Sequence, residues 1–360
     1  RASGAAGAAG AAGGAGGGGG GPGGRGGGPG VLSFVLDERG LPVRRQPLSG
    51  VDGGVGTAAA LIEEGIVAPR ALAGAETAGF DLVRGGRITF EPGGQLEHST
   101  APHATAAEAL ADVEDLLARL SRAAGRQGAA IVALGCDPWS AVDDVPLQLD
   151  HWRYRSMQSY FDRRGHEGRV MMRHTASVQV NLDLGRRDTA RQRWRLANLV
   201  SPIVGASFAT SLATGAARDV APGRGPARAR IWRAMDPSRT GFPPGLDFAN
   251  YADAALDADL MLVRRRMNGT VHDALLPREG CTLRCWLDGK DPCFGGAPPV
   301  LDDVDYHLTT LFFEVRPRGF LEMRSADALP TRLRPAPVVF LCGLLYDPRA
   351  RGEALDLLGP

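Results

Sequence analysis

The stretch HTASVQVNLDLG, residues 174–185, sets Thr175, Ser177, Gln179, Asn181 and Asp183 in strict alternation with Ala176, Val178, Val180, Leu182 and Leu184. Successive side chains of an extended chain point to opposite sides, so this pattern gathers the aliphatics on one face only if the segment is a strand. One face packs on a core. The other carries a row of hydrogen-bonding groups and is either a solvent face or the lining of a pocket, and long amides such as Gln179 and Asn181 suit a pocket.

The segments around this strand mix helices with short strands. Residues 105–124 carry Ala109, Leu110, Val113, Leu116, Leu117 and Leu120 at helical spacing, with Asp112, Glu114 and Asp115 on the other side, which predicts an amphipathic helix. A short apolar strand is expected over 129–134 and helices over 152–163 and 188–212, the second broken or kinked near Pro202. PVVFLCGLLYD, at 337–347, reads as a buried helix, and VLSFVLDERGLPVR, at 31–44, as two strands joined by a turn at Glu38-Arg39-Gly40. Residues 1–30 are almost wholly Gly, Ala and Pro. That composition cannot bury enough apolar surface to offset its ordering entropy, so disorder is expected there. The pattern is α+β, with residues 31–360 read as a single domain.

In 360 residues, 44% of them hydrophobic, a large core is available. A net charge of +1, with both signs mixed along the chain, argues against a nucleic-acid or polybasic membrane surface. No apolar run reaches the roughly 18 residues of a spanning helix. Cys136, Cys281, Cys285, Cys293 and Cys342 make an odd count without CxxC spacing, which weakens both a disulfide framework and structural zinc. A reducing compartment fits better, the cytoplasm first and a plastid as the alternative. Lys290, the only lysine, precedes Asp291, so no phosphate loop of the GK[ST] type exists.

Two stretches concentrate chemistry. In ITFEPGGQLEHST, residues 88–100, Glu91, Gln95 and Glu97 surround a Pro92-Gly93-Gly94 bend that can carry positive φ and admit close backbone approach. Gln95 and Glu97 share a face of the resumed strand, so the three polar groups either meet at one site or form a solvated hairpin rim. In RGFLEMRSAD, Phe320, Glu322 and Arg324 share a face opposite Leu321 and Met323. Such an acid and guanidinium can flank a nucleotide and its metal, or form a surface ion pair. His98, His103 and His174 lack metal-ligand spacing, and His307 reads as a structural hydrogen-bonding residue.

Five segments in order, EPGGQLE (91–97), RYRSMQSYF (153–161), TASVQVNLD (175–183), IWRAMDPSRTG (231–241) and YHLTTLFFEVRPRGFLEMRSAD (306–327), resemble the glutamate-cysteine ligase family of the plant and bacterial type, which includes the actinobacterial enzymes of ergothioneine synthesis. The resemblance implies the fold shared with glutamine synthetase, a curved, mostly antiparallel sheet whose concave face holds substrates and which is backed by helices. It implies an ATP- and Mg²⁺-dependent ligase joining the γ-carboxylate of L-glutamate to the amine of L-cysteine through a γ-glutamyl phosphate, as a monomer or homodimer, in glutathione or ergothioneine biosynthesis. A catalytically impaired relative that binds amino acid or nucleotide is the alternative.

By the same resemblance Glu91, Glu97 and Glu322 are metal ligands and, with Arg324 on the phosphate side, the catalytic set. Arg155 and Met157 shape the glutamate pocket, Thr175, Gln179 and Asn181 line the sheet near substrate and nucleotide, and Trp232 and Arg239 fall near the site. Taken alone, Met157 reads equally as a helix core residue, Arg155 as a solvated or ion-paired side chain, and Trp232 as a core anchor. Leu32 and Ser33 stand where the family's first strand carries two acids, and the chain ends soon after the helix at 338–346. The resemblance therefore implies an incomplete first strand and C-terminus, and weak turnover.

Overall fold

Every strand pairing among the described residues is antiparallel, and helices fill the intervals, which makes the chain a mixed α and β protein. The computed structural model describes residues 30–36, 42–45, 63–66 and 79–359, apart from 127, 150, 221, 224, 242–244, 268–269 and 290–296. The expectations for residues 1–29, the turn at 38–40, Lys290 and Cys293 lie outside the described residues. Strands β1 (Gly30–Leu36) and β2 (Pro42–Arg45) pair as the sequence predicts. With β3 (Gly79–Asp81), β4 (Arg87–Phe90) and β5 (Leu96–Ser99) they give the order β2-β1-β5-β4-β3, and β6 (Ala129–Val132) pairs with β1 as well. Ile88 is opposite His98 and Phe90 opposite Leu96, so these four face one side, where helix α1 (Ala106–Arg126) covers them with Val113, Leu116, Leu117 and Leu120. Thr89 and Glu97, paired with each other, necessarily face the other side.

Helices α2 (Trp152–Asp162) and α3 (Glu167–His174) lead into β7 (Val180–Asp183). The alternation begins at Thr175, yet a regular ladder starts only at Val180. Upstream, Thr175 makes an isolated bridge to Cys136 and Ser177 one to Asp327, because the strand there changes partners. Helix α4 (Arg187–Ser207) runs through Pro202 without breaking and ends before the expected 212. Proline removes one helical hydrogen bond, and Leu196, Ala197, Val200 and Val204 keep the turn around it packed. Helices α5 (Ala227–Met235) and α6 (Leu301–Leu308) and the hairpin of β8 (Val263–Met267) and β9 (Thr270–Leu275) precede the last strands, β10 (Val315–Pro317) and β11 (Phe320–Met323), which complete a sheet of order β10-β11-β7.

That second sheet has two unlike faces. Val180, Leu182, Leu321 and Met323 meet α4 and α7 (Pro335–Tyr346) in one apolar cluster, whereas Asn181, Glu322 and Arg316 stand in a single cross-strand row on the opposite face. The expected buried helix at 337–347 is α7, but only one side of it is covered. Leu341 and Leu345 are buried while Val339 is 57% exposed.

His98 is enclosed under α1 with neither ring nitrogen hydrogen-bonded, and burial lowers its pKa to about 4, with His103 adding to the effect and Asp112 opposing it. The unfolded chain takes up the proton near pH 6.5 and the folded chain only near 4, so this contribution is intact above pH 6.5 and is lost as pH falls toward 4. We predict that His98→Leu flattens the acid limb of a urea-unfolding series between pH 7 and pH 4, by at most about 3 kcal/mol at the low end.

Candidate functional site

The Pro-Gly-Gly turn is bolted down from several directions. Glu91 N–H donates to the Gln95 carbonyl (2.8 Å) and Gly94 N–H to the Glu91 carbonyl (2.8 Å), with Gly94 at φ +77°. At Gly93 a Cβ would lie 2.4 Å from the Arg173 backbone, so only glycine lets the turn seat on the end of α3. Gln95, buried, accepts from Gly93 N–H (3.0 Å) and donates to the Met172 (3.2 Å) and Thr175 (3.0 Å) carbonyls. It therefore ties the turn to α3 and does not join the two acids.

Those acids flank the turn with their carboxyl groups in hydrogen-bond contact. Burial, reinforced by the charge of Glu91, pushes Glu97 up to about 8, against a hydrogen bond from Thr89 Oγ1 (3.2 Å). Burial also raises Glu91, opposed by its bond to Glu97 and by the charges of Arg324 and Arg153. Two carboxylates this close do not both ionise unless a cation joins them, and paired hard oxygens suit Mg²⁺. Among the described residues no group of three or more His, Cys, Asp or Glu side chains could hold a metal ion. An ion here would draw its other ligands from water and phosphate oxygens, as Mg²⁺ commonly does.

Arg324 lies within electrostatic reach of both acids, and its charge opposes the rise of each. It is buried, its Cζ lies 5.3 Å from the Trp232 ring centroid and 5.9 Å from that of Phe312, and its Nε and Nη1 have no hydrogen-bond partner. Burial, with Arg316 nearby, lowers its pKa to about 10, so it stays charged at neutral pH. Glu322 sits differently. Arg316 grips it with both Nε and Nη2, the latter at 2.8 Å from Oε1. Burial would raise Glu322, but Arg316 and Arg324 outweigh it and hold the carboxyl at about 2.

The remaining predicted residues fall into three places. Asn181 is opposite Glu322 with its Oδ1 buried and without a partner, and Gln179 is half-buried just before β7 begins. Met157, Thr175, Trp232 and Arg239 are built into the supporting core. Thr175 Oγ1 donates to the Met171 carbonyl (2.7 Å) and Trp232 Nε1 to the Phe312 carbonyl (2.7 Å). Arg239 is wholly buried and binds Asp236 (2.7 Å), the Thr310 carbonyl (2.7 Å), Tyr160 Oη (3.0 Å) and the Asp259 carbonyl. Arg155 lies on the exposed side of α2.

Sequence reasoning passed over Arg153 and Arg316. Arg153 is the arginine of α2 that turns inward, donating to Thr309 Oγ1 (3.2 Å) with its Cζ 4.9 Å from the Tyr306 ring centroid. The signal was present, since Arg153 is one turn before buried Met157 and two before Tyr160 and Phe161, whereas Arg155 is about 200° round the helix from it. Arg316 could have been found from the tight turn at Gly319 (φ +80°), which sets Arg316 against Glu322 in the hairpin.

With this arrangement in view, comparison with known sequences is decisive: the family described as glutamate-cysteine ligase family 2 matches residues 59–360. The chain belongs to that family. A chloroplastic glutamate–cysteine ligase of Medicago truncatula is 35% identical over 275 residues, covering 75% of this chain and 52% of that protein. The corresponding Brassica juncea protein is 36% identical with the same coverage. Glutamate–cysteine ligase EgtA of Mycolicibacterium smegmatis is 37% identical over 285 residues, covering 78% of this chain and 64% of that one. The chain thus spans about half the length of the plant relatives it matches. This glutamate-cysteine ligase family member carries no helix, among the described residues, long and apolar enough to cross a membrane.

Arg239 generates a test of what supports the site. Removing its guanidinium breaks the close ion pair with Asp236, leaves only the more distant Arg164 (3.9 Å) as its cation and takes a donor from the Thr310 and Asp259 carbonyls, and breaking a buried pair costs about 3–5 kcal/mol. We predict a loss of that size for Arg239→Leu in urea unfolding monitored by circular dichroism. A variant as stable as the parent would remove Arg239 from the framework.

Proposed function

We propose that this chain is an ATP-dependent glutamate–cysteine ligase, forming γ-glutamylcysteine for the synthesis of a low-molecular-weight thiol through a γ-glutamyl phosphate. One observation carries the reading: a carboxylate pair that cannot fully ionise alone lies within electrostatic reach of a buried arginine with unused N–H groups. Phosphoryl transfer to a carboxylate needs both a cation across the phosphates and positive donors on the migrating group, and a chain without a phosphate-loop lysine must find them elsewhere. Mg²⁺ bound at Glu91 and Glu97 would supply charge neutralisation of the ATP phosphates.

The other residues have tasks of their own. Arg324 stabilises negative charge as phosphate moves, Arg153 supports the ionised form of Glu91, and Asn181 offers an acceptor from the sheet face. Glutamate must enter between the acid pair and this face, so that its γ-carboxylate meets the phosphate and cysteine's amine then displaces it. The bridges that carry the β7 strand from Cys136 to Asp327 support one continuous curved sheet of the glutamine synthetase type, with the polar row on its concave side. Free thiols at Cys136, Cys285 and Cys342 suit a reducing compartment, the cytoplasm or a plastid.

A second reading, a relative that binds substrate without turning it over, draws support from Glu322, which is engaged by Arg316 and so less available to a metal. ADP release from ATP and Mg²⁺ with glutamate, with and without cysteine, followed by mass analysis, separates the two. The expected result is cysteine-dependent ADP release with γ-glutamylcysteine as product. Glu97→Gln should lower that rate on the order of 10²-fold by loosening the phosphate geometry. ADP release indifferent to Glu97→Gln would remove the acid pair from the reaction.

A further inference from the structure

Arg324 raises a question that the ligase reading does not answer. A buried guanidinium is ordinarily held edge-on by a carboxylate, but Glu322, two residues before it, is already gripped by Arg316. Glu314, a second buried acid acting on its charge, takes no hydrogen bond from Nε or Nη1 either, and the groups packed on the guanidinium are aromatic faces. Trp232 and Phe312 stand perpendicular to each other, at 82° with centroids 5.8 Å apart, and form a corner into which the guanidinium fits at 5.3 Å and 5.9 Å. The corner is itself fixed. Trp232 Nε1–H donates to the Phe312 carbonyl (2.7 Å), and Phe312 N–H donates to the carbonyl of Arg239 (2.9 Å), whose side chain is locked to Asp236 and Thr310.

We propose that Phe312 is a positioning residue, which with Trp232 holds the Arg324 guanidinium by its π face so that its N–H edge is kept for an incoming phosphate. A carboxylate partner would neutralise the cation and occupy the donors that a phosphate must reach. An aromatic face attracts the charge through the ring quadrupole while consuming no N–H, and the attraction strengthens where water is excluded. The unpartnered Nε and Nη1 are the counterpart of that arrangement. The inference rests on the reading of Arg324 as the phosphate-side residue.

The test is calorimetric binding of AMPPNP in excess Mg²⁺ to the full chain, with thermal melting run on every variant. Arg324→Ala is expected to weaken binding about tenfold or more, and Phe312→Leu about three- to tenfold, since leucine keeps apolar bulk but has no ring. Phe312→Tyr, which retains the ring, should restore affinity to within about twofold of the parent. Phe312→Met replaces the leucine variant if that one melts below the assay temperature. In the Arg324→Ala background Phe312→Leu should have no further effect, because its only route to the nucleotide has been removed. If Arg324→Ala leaves binding unchanged, the phosphate-side reading fails and the inference falls with it. If Arg324→Ala weakens binding but Phe312→Leu does not, or if Phe312→Leu is equally harmful without Arg324, the positioning role is wrong while the reading of Arg324 stands.

Discussion

Two carboxyl groups in contact, Glu91 against Glu97, set the terms for everything built around them. In water such a pair would swing apart. Here neither backbone can retreat: Glu97 lies in β5 between β4 and β1, opposite Thr89 on one side and Gly30 on the other, and the Glu91 N–H and carbonyl both close the turn. The repulsion is therefore relieved by proton sharing or by a cation, and not by movement. The same constraint explains Gln95. An amide with both ends engaged is what keeps the turn on α3 while the acids strain against each other.

The arginines around this pair illustrate why guanidinium and ammonium are not equivalent. Arg316 uses its fork to bind one carboxylate with two bonds, Arg239 uses its separate N–H groups to gather a carboxylate, two carbonyls and two hydroxyls, and Arg324 uses its flat face against aromatic rings. A lysine is a point charge on a flexible stem and could do none of the three as well. The interior of this chain thus carries three guanidinium groups, each restrained in a different geometry. Arg228 adds a fourth, lying 5.2 Å from the Trp232 ring centroid and donating to the Arg324 carbonyl (2.9 Å), so one indole is flanked by two guanidinium groups.

Periodicity made the secondary elements legible, and local spacing made parts of the site legible. The alternation around β7 correctly assigns Val180 and Leu182 to the core and Asn181 to the polar face, because a strand's facing follows from its pleat alone. What it could not give was the length of regular pairing, which depends on partners at Cys136 and Asp327 far away in sequence. The apolar run of α7 read as buried throughout because composition cannot say which side of a helix lacks a neighbour. Gln95 shows the same limit at one residue: its strand parity with Glu97 suggested a shared site, and a tertiary contact with α3 turned it elsewhere.

The two parts of the site are also joined unequally. Glu97 belongs to the first sheet and Glu91 directly follows its strand β4, whereas Glu322 and Asn181 belong to the second and Arg324 directly follows its strand β11, and Cys136, which follows β6, bridges to Thr175, whose carbonyl Gln95 also holds. A displacement of the turn is therefore transmitted to the start of the β7 segment through a hydrogen bond rather than through soft side-chain packing. The distance from acid pair to Asn181 is kept by backbone, while that from acid pair to Arg324 is kept by a side chain seated on two rings. Of these two spacings the second is the more adjustable, since rotating a guanidinium on an aromatic face breaks no hydrogen bond, whereas moving β7 would break several.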